Sequence, residues 1–545
     1  MSELDRAPAP GGLAELVARL DREGRLVSLS GGASGDAATI AGLAGIGLAA
    51  ITDDSRHVSP GALFVAVRGS RADGHEFVTE AVQRGAAAVI VERPGLVGAG
   101  RAGERNGMSE GPVEIVVDRS AAALASAAAW WFGDPSRSLT VVGTTGTNGK
   151  TTTTFLVAAG LAGVGHRVGL STTVGSTVGG RFEPNTRPVT TPGALELQAL
   201  LRRMVLAGDD AVALETSSHG LAAERVGSVA YDAAIFTTLG QEHLDFHRTM
   251  AAYLAAKRSL FERLPVTAKD GRAGLGVVNV DDPAAGAFAD AARRAGARVV
   301  TYGTDPRADV RLLEVSATVS SVEALVAIAG GGTRRLRLRL GGRYNARNAA
   351  AVVALAHGWG LPVGAVVDGL AELRGIPGRL EPVDRGQPFA VVVDFAHTSG
   401  SIEALLVEAR AGIAPGARVA IVFGASGERD EGKRPLMGEA AVRGADRTFI
   451  TEDDPRAEDL TAILAAIEAG AQRAGGRPGE TYELVPSREA AIRAAVRWAR
   501  PGDVVVLAGK GHETWMARAG GLEAWDDRDV AARILGEEGY GSRAR

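Results

Sequence analysis

The chain has 545 residues with 73 Gly, 22 Pro and no Cys, and its 60 basic and 64 acidic side chains leave a formal net charge of −4. At roughly 100–200 residues per domain, this length predicts about three domains with ample core. The charge balance argues against a nucleic-acid or acidic-membrane partner, and the missing Cys excludes disulfide frameworks, thiol catalysis and Cys-ligated zinc. The first twelve residues are acidic and rich in Pro and Gly, with no basic start leading into an apolar stretch, so no secretory signal is predicted. Apolar runs such as 37–52 fall short of the ~20 residues a membrane span needs. The expectation is a cytoplasmic protein without a membrane span.

In chain order, residues 1–135 alternate short β-like runs (63–67, 88–91, 114–117) with helical patterns such as 76–84. A Gly-rich insert over 94–112 reads as a loop, and the Ala-rich helix 121–131 stops at Gly133-Asp134-Pro135. Residues 136–374 begin with a strand at 139–142, followed by apolar runs at 211–214, 233–236, 276–280 and 298–302. Short apolar strands between helices predict a mostly parallel sheet covered on both faces. The alternation over 310–340 predicts an antiparallel excursion. Residues 375–545 add strands at 390–394, 418–423, 447–450 and 503–507 with helices between them, a second doubly wound unit. The fold class is α/β throughout: an N-terminal domain, a central P-loop ATPase-like domain and a C-terminal Rossmann-like domain.

Only five of the basic residues are lysines: Lys150, Lys257, Lys269, Lys433 and Lys510. Arg replaces Lys at most solvated sites, but not where a compact ammonium or a deprotonatable amine is needed. The surviving lysines are therefore candidate functional positions.

The strongest motif is Gly143-Thr-Thr-Gly146-Thr147-Asn148-Gly149-Lys150-Thr151-Thr152, a Gly-rich turn between a strand and a helix. Such a loop aims backbone N–H groups at phosphate oxygens, with Lys150 reaching the β/γ-phosphates and the Thr151 hydroxyl ligating Mg²⁺. The strict pattern wants Gly at position 144, where Thr144 stands. A second Gly-Lys pair, Gly432-Lys433, is rejected as a phosphate loop because Arg434 replaces the metal-binding hydroxyl and acidic residues precede it. Glu215 follows an apolar strand, at the kind of edge where α/β sites lie. The spacing His243-x-x-x-His247 also fits a zinc pair, but beside a phosphate loop magnesium is the expectation and His247 reads as packing.

These residues resemble the Mur ligases, the amide-forming ligases of peptidoglycan precursor synthesis. The resemblance covers about residues 50–530 and includes Glu215-Thr-Ser-Ser-His-Gly220, Gln241-Glu-His-Leu-Asp-Phe-His247, Asp394-Phe-Ala-His397, Asp453-Asp-Pro-Arg456 and Gly509-Lys-Gly-His-Glu513. It implies an ATP- and Mg²⁺-dependent ligase that adds a diamino acid, meso-2,6-diaminopimelate, to UDP-MurNAc-L-Ala-D-Glu through an acyl phosphate. It makes Lys150, Glu215, His243 and a CO₂-carbamylated Lys257 the catalytic set, with Thr151, Glu215 and His243 on the metal. It assigns Asn345, Asn348, Arg379 and Asp394 to ATP alongside the loop. Ser55, Ser70, Arg71, Ala72, Thr190, Thr191, Ser217 and Arg225 fall to the UDP-sugar dipeptide. Arg429, Asp453, Asp454, Pro455, Arg456, Gly509 and Glu513 fall to the amino acid.

In this assignment Arg429 clamps the α-carboxylate, Asp454 or Glu513 faces the second ammonium, and Arg456 takes the extra carboxylate of diaminopimelate. Asp454 stands where the diaminopimelate pattern has Asn, a change that favours an ammonium and keeps lysine and ornithine as alternatives. Ser399, Gly400, Ser426 and Glu428 also depart from the family pattern. The partners implied are small molecules, with the chain a monomer. The rival functions are a folylpolyglutamate-synthetase-like ligase, which leaves the N-terminal domain unexplained, a plain P-loop ATPase, and a homologue that has lost catalysis.

Overall fold

The computed structural model describes residues 12–31, 36–37, 39–69, 72–97, 112–185 and 189–541. Ser70 and Arg71, both assigned to the sugar nucleotide, lie outside them. Two compact units emerge. One holds residues 1–150, 165–278 and 282–299; the other holds 151–164, 279–281 and 300–545.

The first unit contains two sheets. In the N-terminal one, Ala50–Thr52, Ala62–Val65, Ala88–Val91 and Val113–Val117 run parallel in that order, and Leu26–Gly31 adds antiparallel beyond Val113–Val117. Leu63, Val65, Ile90 and Ile115 pack with Leu16 and Trp130 on one face, while Phe64, Val89 and Val116 pack with Val78 on the other. Burial on both faces is why these strands read as continuous apolar runs. The helix expected over 76–84 is shorter, Val78–Gln83, because the Asp73 carboxylate accepts from His75 N and sets a 3₁₀ turn at Gly74–Phe77 first.

In the second sheet of this unit the parallel strands lie in the order Val168–Ser171, Ala211–Glu215, Thr140–Thr145, Ala233–Phe236 and Leu275–Asn279. A hairpin, Gly175–Val178 with Arg181–Pro184, extends its edge. Its Gly179-Gly180 corner, both at positive φ, is a turn signal readable in the sequence.

The second unit holds the predicted antiparallel excursion as Val310–Ala317, Val322–Ile328 and Gly332–Leu338. It also holds a sheet ordered Glu381–Pro382, Ala390–Asp394, Val504–Ala508, Val419–Phe423, Arg447–Ile450 and Tyr482–Leu484. The strands from Ala390–Asp394 onward are parallel. Strand 504–508 enters between earlier strands, which creates a change of winding direction whose C-terminal edge is where ligands bind in such sheets. The hairpin Trp515–Arg518 with Gly521–Ala524 follows it.

Candidate active site

The strand Thr140–Thr145 leads into the glycine-rich turn, and the chain continues as the helix Lys150–Gly163. Gly146 sits at φ +152°, and a Cβ there would run into Thr237 Oγ1, so only glycine has both the conformation and the room. Thr147 N donates to Thr238 O at 2.6 Å, and Thr237 Oγ1 donates to Asn148 O at 2.6 Å, which pins the turn. Lys150 Nζ donates to Thr147 O at 2.8 Å, so its ammonium curls over its own loop. The departure at Thr144 has a local cause. Thr144 still belongs to the strand, paired with Glu215 and Ile235, in extended backbone that any residue adopts. Gly143 leaves space for the Tyr231 ring, which lies 2.6 Å from where its Cβ would stand.

Lys257 and Tyr253 project from the helix Met250–Glu262. Lys257 is 1% exposed; its Nζ donates to Gly146 O at 2.6 Å and lies 4.3 Å from the Tyr253 ring centroid. Burial, and then the Lys150 charge, hold this amine well below the usual lysine range despite Glu242 and Glu215 nearby. A lone helix lysine is ordinarily a solvated charge; this one is a buried amine driven toward its neutral, nucleophilic form. Tyr253 OH meets Thr147 Oγ1 at 3.1 Å. Motif matching passes over Tyr253, although its spacing of four from Lys257 places both on one helix face.

Glu215 ends its strand 3% exposed and accepts from Thr173 N at 3.0 Å and Thr173 Oγ1 at 3.2 Å. His243 takes a left-handed backbone at φ +57°. Its ring lies edge-on to His219, centroids 4.6 Å apart. Burial, with His243 and His247 close by, pushes the His219 imidazole down to about 4, so it is neutral at physiological pH. His247 is buried, 5.5 Å from the same ring. A carboxylate and an imidazole suit a hard cation that keeps phosphate and water oxygens in its shell. Among the described residues no cluster of three His, Cys, Asp or Glu could hold a metal unaided.

The residues assigned to the muramoyl-dipeptide cluster next to Glu215. Thr191 Oγ1 and Ser217 Oγ are 2.9 Å apart, and Arg225 donates to Thr191 O at 2.9 Å. Thr173 Oγ1, which holds Glu215, also reaches Thr190 Oγ1 at 3.0 Å. Beside the N-terminal sheet, Ser55 opens the 3₁₀ turn Ser55–His57, is buried and donates to Glu80 Oε2 at 3.1 Å, and Ala72 is exposed.

In the second unit, Asn345 and Asn348 lie inside the helix Tyr344–Trp359, both buried. Asn348 Nδ2 donates to Asn345 Oδ1 at 2.8 Å, and Asn345 Nδ2 donates to Gly341 O at 2.6 Å. Neither caps the helix. Arg379 stacks 5.1 Å from the Phe395 ring centroid and donates to Thr151 Oγ1 at 3.4 Å. Asp394 accepts from Leu380 N and Ala396 N, each at 2.9 Å. Burial raises its carboxyl above the ordinary range, against the pull of Arg379.

The amino-acid set gathers at the C-terminal ends of three neighbouring parallel strands. Exposed Arg429 follows Val419–Phe423, Asp453 to Arg456 follow Arg447–Ile450, and Gly509 and Glu513 follow Val504–Ala508. Two sets of contacts lie behind these residues. Lys510 Nζ donates to Asp454 Oδ1 at 2.8 Å and to Glu513 Oε2 at 2.7 Å. The two carboxylates named as alternatives for a substrate ammonium both accept from this internal one. Arg488, which no motif marks, is fully buried against Asp527 and donates to Ala508 O at 2.9 Å and Glu452 O at 3.3 Å. Arg456, with Glu428 and Arg518, lines an open hollow of about 320 Å³.

Three family models match this chain: the Mur ligase family catalytic domain over residues 48–131, the Mur ligase middle domain over 144–356, and the Mur ligase glutamate ligase domain over 378–511. The chain belongs to the Mur ligase family. It is similar to the UDP-N-acetylmuramyl-tripeptide synthetase of Roseiflexus sp. (strain RS-1), 42% identical over 91% of this chain and 96% of the relative. It is also similar to the UDP-N-acetylmuramoyl-L-alanyl-D-glutamate--2,6-diaminopimelate ligase of Geobacillus thermodenitrificans (strain NG80-2), 39% identical over 90% and 95%. A solved structure of a ligase of that second name aligns at TM-score 0.63 and 28% identity, over 91% of this chain and 96% of that one.

This ligase is a three-domain α/β enzyme whose family uses ATP and Mg²⁺. Among the described residues no helix is long and apolar enough to cross a membrane. The remaining lysines also find their places. Lys269 holds Asp232 Oδ2 at 2.8 Å, Ser136 O at 2.7 Å and Ala230 O at 2.6 Å, a brace under the central sheet. Lys433 donates to His397 O at 3.1 Å.

Proposed function

We propose that this ligase is a UDP-N-acetylmuramoyl-tripeptide synthetase that joins meso-2,6-diaminopimelate to UDP-N-acetylmuramoyl-L-alanyl-D-glutamate in the cytoplasm, with ATP cleaved to ADP and phosphate. The observation that carries this reading is the buried Lys257 amine on the carbonyl of Gly146, inside a phosphate loop that also holds Lys150. The names of the relatives support the substrate, and Arg456 at the hollow beside the 453–456 motif suits a distal carboxylate.

In this reading the Gly146–Thr152 loop and Lys150 position the γ-phosphate for attack by a substrate carboxylate oxygen, giving an acyl phosphate and ADP. The amine of the diamino acid then attacks the acyl carbon, loses its proton, and the tetrahedral species expels phosphate. Thr190, Thr191, Ser217 and Arg225 hold the dipeptide end, Ser55 serves the uridine side, and Asn345, Asn348, Arg379 and Asp394 serve the nucleotide. Glu215 and His243 would hold Mg²⁺, which would neutralise phosphate charge when bound. The neutral Lys257 nitrogen adds to CO₂ and releases one proton, leaving a carbamate anion among these cations; a protonated amine has no lone pair for that step.

The test supplies purified protein with ATP, Mg²⁺ and UDP-MurNAc-L-Ala-D-Glu, then diaminopimelate, lysine or ornithine in turn, and reads product mass. A diaminopimelate amide is the expected product. Preference for lysine or ornithine overturns the substrate, and no amide with any of the three overturns the ligase reaction itself.

A further inference from the structure

Asp454 and Glu513 are the acidic side chains best placed to greet a second ammonium on an incoming diamino acid, yet both are engaged. Lys510 is fully buried and its Nζ lies 2.8 Å from Asp454 Oδ1 and 2.7 Å from Glu513 Oε2, 4.6 Å from the Trp515 ring centroid. Asp454 Oδ1 accepts a second bond from Ala517 N at 2.8 Å, and Arg456 N donates to Ala517 O at 2.9 Å. The 453–456 segment is thereby stitched to the hairpin Trp515–Arg518. The third carboxylate, Asp453, is buried beside Gly509, whose φ of +111° and missing Cβ leave room for Asp453 Oδ2. An open hollow of about 320 Å³ is lined by Arg456 and Arg518, with Ala517 of the stitch also on its wall and Glu428 its one acidic residue. Arg518 is itself paired with Glu452 and Glu523 at 2.9 and 3.0 Å, which leaves Arg456 as the cation for a ligand there.

We propose that Lys510 is a positioning residue that sets amino-acid preference: it holds Asp454 and Glu513 as its own acceptors, so the extra carboxylate that distinguishes diaminopimelate from lysine meets Arg456 without repulsion from those two acids. This rests on the diamino-acid ligase reading above. All three diamino acids carry a second ammonium and only diaminopimelate a second carboxylate, so an internal ammonium that cancels acidic charge removes a repulsion felt by diaminopimelate alone, and selectivity comes from that neutralisation as much as from offering an arginine.

The experiment measures kcat/KM for meso-diaminopimelate and lysine with full-length wild type, Lys510→Met, Asp454→Asn and the double variant. In Lys510→Met the diaminopimelate-to-lysine ratio is expected to fall by about tenfold or more, chiefly through KM, because one charge pair is exchanged. The double variant removes the ammonium and one carboxylate together and is expected to recover most of the wild-type ratio. Asp454→Asn alone leaves Lys510 in surplus and is expected to raise the ratio, which keeps the test informative if Lys510→Met fails to fold. Equal losses on both substrates in Lys510→Met, or an unmoved ratio in Asp454→Asn, overturn the proposal while leaving the ligase reading intact. Absence of any amide product in wild type overturns that reading, and the proposal with it.

Discussion

Replacing Arg488 by Met removes the centre of a buried network that underlies the proposed amino-acid site. Arg488 Nε and its terminal nitrogen bind the two Asp527 oxygens at 2.8 and 2.6 Å, with both side chains fully buried. Trp525 Nε1 completes the shell of Asp527 at 2.9 Å. The guanidinium also reaches Ala508 O and Glu452 O, the residues just before Gly509 and Asp453. Arg488→Met leaves Asp527 charged, buried and short of its main partner, at a cost of about 3–5 kcal/mol for breaking one side of such a pair. Hydrogen exchange in peptides covering 447–456 and 504–513 reads that loss locally, with protection expected to fall about a hundredfold or more, since 1.4 kcal/mol is a factor of ten. Arg488→Met/Asp527→Leu, which removes both charges, is expected to restore most of the protection. Exchange within about threefold of wild type in the single variant, a change worth under 1 kcal/mol, would refute the reasoning.

Lys257→Ala is expected to lower turnover at least about a hundredfold and to regain part of it with added short carboxylic acids; full activity without rescue removes the carbamate. Gly146→Ala places a Cβ into Thr237 Oγ1 at a strained φ, and calorimetry is expected to show nucleotide Kd rising about tenfold or more. Burial, with Asp453 and Asp454 close by, raises the Glu513 carboxyl from 4.5 to about 7 despite Lys510. A raised carboxyl favours its protonated form in the fold, so its contribution is full below about pH 4.5 and is lost as pH rises through about 7. Glu513→Gln cannot ionise, so wild-type Tm relative to that variant is expected to fall between pH 5 and pH 8; a constant difference contradicts the shifted carboxyl.

Strands whose side chains are buried on both faces carry their own signature, so Ala88–Val91, Ala233–Phe236, Ala390–Asp394 and Arg447–Ile450 lie where apolar runs place them. The phosphate loop was equally legible, because its chemistry depends on consecutive residues and backbone N–H groups. The hairpin Gly175–Val178 with Arg181–Pro184 left only a Gly-Gly corner as its trace, since its partly exposed strands lack an apolar run.

Scarcity of lysine marks five positions in the sequence, but says nothing of what each ammonium meets. Local pattern determines strands, turns and the loop, because those depend on neighbours in the chain. Burial and charge pairing depend on residues far apart in it, and these the tertiary structure decides. Lys257 becomes a buried amine only when residue 146 folds against it, 111 positions away. Lys510 claims Asp454 across 56 positions, and Arg488 claims Asp527 across 39. Desolvation and Coulomb attraction act through space, and they turn the same side chains from solvated charges into a buried amine held below its usual range, an internal ion pair and a buried brace.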